Sequence, residues 1–170
     1  MLTDIAKQQL RKAGWYEGRK IDLTKYEEAY AKIGCEMFPA ARKFLEEYGD
    51  LAICDKVEFP YIKEGVSYNE SSTQWPICVG RRDLELEKRV DELYGQKILR
   101  VGALEYCEIY IYISEDGRFF VNWYFDGLWA ENSDQLWNEY YGEEYGRASW
   151  EDLKAGKGRT MFKKEIEKYL

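Results

Sequence analysis

Histidine is absent from the 170 residues of this chain. That single absence removes the commonest general base, the commonest metal ligand, and the Ser–His and Cys–His nucleophiles. No GxGxxG, Walker A or GxSxG pattern occurs, so neither a phosphate-cradling loop nor a nucleophile elbow is signalled. No apolar run approaches the roughly 20 residues that a membrane span requires. The first residues, Met1-Leu2-Thr3-Asp4-Ile5-Ala6-Lys7, lack the basic and apolar regions of a signal peptide. Four cysteines, at 35, 54, 78 and 107, form no CxxC. Their even number leaves disulfides open, but without a secretion signal the expectation is reduced, mostly buried thiols in a cytoplasmic protein. These absences argue against catalysis, cofactors, metals and membranes. Carboxylates alone, such as the neighbours Glu143 and Glu144, are the catalytic route left open.

What is present is acid and aromatic. The chain has 32 acidic and 25 basic residues, a net charge of -7. Its pI is near 4.9, which disfavours direct binding of nucleic acid. Tyrosine (15), phenylalanine (7) and tryptophan (6) make up 16% of the residues. The charge is uneven: residues 101–146 hold ten acids and one base, Arg118, so that window carries −9 and the rest of the -7 chain +2. Thirteen of the aromatics lie in the same window. Either this is a solvated acidic rim, or it is a surface aimed at a basic protein, with charge for steering and rings for anchoring.

Apolar spacing predicts a helix over 2–13, stopped by Gly14. Thr24 and Glu27 have the spacing of a capping box for a second helix with Tyr26, Tyr30 and Ile33 on one face. Pro39 opens a third, with Ala41, Phe44, Leu45 and Tyr48 at i, i+3, i+4 and i+7. Short strand-like pieces follow at 51–54, 57–61 and 66–68. A fourth helix over 84–94 carries Leu86, Val90, Leu93 and Tyr94 on one side. Ser133 is the expected cap of a helix bearing Leu136, Trp137, Tyr140 and Tyr141. Ser149 and Asp152 suggest another cap, and a C-terminal helix is expected from about Thr160.

The clearest local signal is a hairpin over 106–126. A two-residue Asp116-Gly117 turn would place Asn122 opposite Ile111, on the apolar face. A three-residue loop, Glu115-Asp116-Gly117 with Gly117 left-handed, instead pairs Ile113 with Phe119, Ile111 with Val121 and Ile109 with Trp123. Only the second register keeps the apolar residues on one face, so it is the expected one. The other face then carries Tyr106, Glu108, Tyr110, Tyr112, Phe120, Asn122, Tyr124 and Asp126. Helices could cover it, or it could be a recognition surface. On the second reading Tyr110, Tyr112, Asn122, Tyr124, Asp126, Trp129 and Glu131 are the expected contact residues, with rings as anchors and carboxylates as lures for Lys and Arg.

Four motifs occur in an order that resembles a known family. They are Gly14-Trp15-Tyr16-Glu17-Gly18-Arg19, the helix ending Phe44-Leu45-Glu46-Glu47-Tyr48-Gly49-Asp50-Leu51, the segment Tyr94 to Gly102, and the turn Ser114-Glu115-Asp116-Gly117-Arg118-Phe119. They are similar to elements of the SUKH-3 branch of the SUKH (SMI1/KNR4-like) immunity-protein superfamily. Arg100 stands where that pattern has proline, and Ser114 where it has aspartate. The resemblance implies an α+β fold, one domain over 1–170 with a central, mostly antiparallel sheet flanked by helices. Its family core would span about 10–142, with a helical extension over 143–170. It also implies a non-enzymatic bacterial immunity protein that binds and neutralises a cognate toxin. Such toxins are often nucleases of polymorphic secretion systems, and therefore basic. A cytosolic scaffold or regulatory interaction module on the same fold, without a toxin, is the alternative.

Overall fold

The computed structural model describes residues 1–53, 71–72, 82–104, 109–121, 127–141, 146–149 and 160–161. Helix α1 (Asp4–Lys12) starts at Thr3, whose Oγ1 accepts the Ala6 N–H at 3.2 Å, and it buries Ala6 and Leu10. Helix α2 (Thr24–Lys32) buries Tyr26 and Tyr30. Its expected capping box is not formed. Asp22 Oδ1 accepts both the Thr24 N–H (2.8 Å) and the Thr24 hydroxyl (2.6 Å), while Glu27 pairs with Arg42. A carboxylate is the stronger acceptor and draws the hydroxyl away from the cap. Ile33 is 39% exposed, because it lies past the last helical turn. Helix α3 (Pro39–Tyr48) opens on its proline and buries Ala41, Phe44, Leu45 and Tyr48, as its spacing predicts.

Helix α4 (Leu84–Tyr94) is capped by Asp83, which accepts the Leu86 N–H at 3.0 Å. Helix α5 (Ser133–Tyr141) buries Leu136, Trp137, Tyr140 and Tyr141. Its cap is Asn132, not Ser133: Asn132 Oδ1 accepts the Gln135 N–H at 3.0 Å, and Ser133 is already helical. Asparagine and serine cap about equally well, so spacing alone did not rank them.

The strands are β1 (Ala52–Ile53), β2 (Ser71–Ser72), β3 (Ile98–Leu104), β4 (Ile109–Ser114), β5 (Phe119–Val121), β6 (Gly127–Ala130), β7 (Gly146–Ser149) and β8 (Thr160–Met161). Each pairs antiparallel with the next in chain order, so the fold is α+β around an antiparallel meander. Ile113 faces Phe119 and Ile111 faces Val121 across the turn, and Gly117 has φ +88. That is the three-residue loop expected from apolar segregation; the Ile109–Trp123 pair lies outside the described residues. The strand pieces expected at 57–61 and 66–68 lie outside them too. The tail corrects the sequence reading where it is described. Ser149 ends β7, and Thr160 and Met161 form β8, so the extension expected to be helical includes strands; the helices expected after Ser149 and Thr160 lie outside the described residues.

Alternation on the strands feeds two separate cores. Leu99, Val101, Ile111, Ile113, Phe119, Val121 and Trp129 face α1, α2, α3 and α5. Ile98, Tyr112, Phe120 and Leu128 face α4, packing with Leu86 and Val90. Strands β3 to β6 are therefore covered on both sides. In the larger core Phe44 meets Phe119 edge-on at 5.0 Å between ring centroids, and Tyr48 meets Trp137 at 5.5 Å. Much of the aromatic content is thus core.

Candidate partner-binding surface

The seven residues expected to contact a partner do not share one exposed face. Tyr112 is 3% exposed and Trp129 1% exposed, so neither is a surface anchor. Tyr112 is covered by α4, whose apolar side, Leu86 and Val90, shares one core with it. Burial pushes its phenol well above the ordinary range, and the charge of Asp83 adds to the effect. Trp129 alternates onto the opposite side of β6, beneath α5, with Tyr140 edge-on at 6.4 Å. Tyr110 is half-buried under the Arg100 guanidinium, 3.6 Å from its ring centroid. Glu131 is exposed at the entry to α5, where its N–H donates to Gln135 Oε1 at 2.9 Å. Asn122, Tyr124 and Asp126 lie outside the described residues.

The acidic window is partly neutralised from within. Arg118 holds Asp116 through Nε at 2.9 Å and lies 4.1 Å from the Tyr94 ring centroid. Burial alone would raise the Asp116 carboxyl, but hydrogen bonds from Arg118 and Ser114, with the Arg118 charge, hold it below its ordinary value. Asp134 pairs with the Met1 amine at 2.9 Å, and Glu139 is 9% exposed. Among the described residues of the window, the exposed acids without an ion pair are therefore Glu115 and Glu131.

Beside Glu115 lies a groove of about 800 Å³ that sequence patterning did not anticipate. Its walls are loop 34–39, one side of α4, the entry to β3 and the hairpin turn. Leu84 stands at its rim, 67% exposed. Arg82 is held by Glu87, and Lys88 lies 3.7 Å from Glu92. Among the described residues Glu36 and Asp91 have no ion-pair partner, so the unpaired charges of the lining are these two acids, Glu115 and Lys97. Gln96 Oε1 is buried and has no hydrogen-bond partner among the described residues. Burial also raises the Cys35 thiol above its ordinary value, which keeps this free cysteine a neutral part of the wall. The one available sequence signal was Leu84 itself, an apolar residue off the Leu86–Val90 stripe.

Two recurring motifs prove to be scaffold. Trp15 Nε1 donates to Glu47 Oε1 at 3.2 Å and Arg19 Nη1 to the Glu47 carbonyl at 2.8 Å, so both grip the end of α3. Among the described residues no cluster of three Cys, Asp or Glu side chains forms a metal site, and no helix is long and apolar enough to cross a membrane. Comparison with protein families finds a match over residues 3–141 to the model of the SUKH-3 immunity protein. That span takes in α1, ahead of the expected start at about 10. No curated protein and no solved structure matches the chain.

Proposed function

Because the chain belongs to the SUKH-3 immunity protein family, we propose that it binds one cognate toxin in the cytoplasm and neutralises it stoichiometrically, without catalysis. The family match carries this reading. The toxin we propose is a basic nuclease of a polymorphic secretion system. A nuclease must be basic where it holds nucleic acid, and a chain of net charge -7 complements such a surface. Tyr110, Asn122, Tyr124, Asp126 and Glu131 remain the proposed contacts; Tyr112 and Trp129 are withdrawn because the fold uses them.

The test is co-expression with the toxin domain encoded beside its gene. Restored growth and a one-to-one complex are expected. No rescue and no complex would defeat the proposal and favour a scaffold role. Glu131→Lys should slow association several-fold and weaken its salt dependence, since an exposed rim charge acts mainly on the encounter rate.

A further inference from the structure

We propose that the groove between loop 34–39, α4 and the start of β3 receives an extended basic segment of the toxin. This inference rests on the immunity reading and names the part of the partner that the groove would take. Two observations converge on it. The first is charge. With Arg82 and Lys88 countered by Glu87 and Glu92, the lining presents Glu36, Asp91 and Glu115 against Lys97, a balance that favours an incoming cation.

The second is Leu84. It is an apolar side chain left two-thirds exposed at the rim, while Leu86 and Val90 of the same helix are buried. An apolar contact flanked by unpaired acids matches a segment with an aliphatic side chain between two Lys or Arg residues. The volume, about 800 Å³, holds a few side chains and not a folded surface, which is why the occupant is an extended segment.

The experiment uses the full chain and the catalytically inactivated toxin domain encoded beside its gene, with affinity measured at two salt concentrations. Glu36, Leu84 and Asp91 are surface residues, so their variants should keep the parent melting temperature. The pair Glu36→Lys with Asp91→Lys should weaken binding by more than about tenfold and flatten the salt dependence, and Leu84→Ser should cost about tenfold. The control is Glu17→Lys, an exposed acid outside the lining, and it should change little. If the parent binds and the groove variants bind equally well, the groove assignment falls while the immunity reading stands. If Glu17→Lys weakens binding as much as the groove pair, net charge explains the effect and the assignment again falls. If the parent binds no toxin, the immunity reading fails first. If the chain alone sediments as a dimer that Leu84→Ser dissociates, the groove belongs to a second copy and the proposal is wrong.

Discussion

Gly49 shows how little room one motif residue has. A Cβ there would lie 2.4 Å from the Leu45 carbonyl oxygen and 2.9 Å from Ile21 Cδ1. The backbone oxygen belongs to the last turn of α3 and cannot swing aside as a long side chain would. The next residue, Asp50, sits at φ 55, held by its N–H donating to the Tyr26 hydroxyl at 2.8 Å. Gly49→Ala should therefore destabilise by about 1–3 kcal/mol, the usual range for overpacking. Urea unfolding would measure it, and a change below about 0.5 kcal/mol would show that the α3 end relaxes freely.

At the scale of the element, the hairpin turn accounts for one departure from the family pattern. Ser114, fully buried, places Oγ 2.6 Å from Asp116 Oδ1 and accepts the Arg118 N–H at 3.1 Å. An aspartate at 114 would set a second carboxylate against Asp116, whose pKa is already held low. In effect the chain carries the aspartate of this turn two residues along, at Asp116. Ser114→Asp should cost about 1–3 kcal/mol at neutral pH, and adding Asp116→Ser should recover most of it. The loss should shrink in acid, where one carboxyl of the pair takes a proton. A non-additivity under about 0.5 kcal/mol would dismiss the exchange.

The same hairpin marks what was legible in the sequence. Its register was readable because a one-residue slip would have put Asn122 among isoleucines, so local alternation decided it. What lay across the second face was not. The cover over Tyr112 and Phe120 comes from α4, some twenty residues upstream, and a period of two says which residues share a face but not what meets them. The groove was invisible for a related reason: it is assembled from four separate segments, and no single stretch carries its pattern.

For the whole molecule, buried phenols tie stability to alkaline pH. Burial raises Tyr48, Tyr94 and Tyr112 above the ordinary value near 10, and in the fold they stay protonated where the unfolded chain would release the proton. The sign follows: their contribution is complete below about pH 10 and is lost as pH climbs from there toward the folded values. A part of the 15 tyrosines should ionise only as the chain unfolds. Phenolate absorbance and circular dichroism should therefore change together in the last phase of an alkaline titration. Complete ionisation of a still-folded chain would contradict the burial of these rings.

The sheet, packed on both sides of strands β3 to β6, has an evolutionary consequence. With its described faces committed to two cores, recognition is left to rims, turns and the groove lip, where side chains such as Glu36, Asp91 and Glu131 touch neither core. Surface substitutions of this kind usually shift stability by less than about 0.5 kcal/mol. A lineage that must follow a changing adversary can then rewrite its specificity residue by residue while the scaffold stays constant.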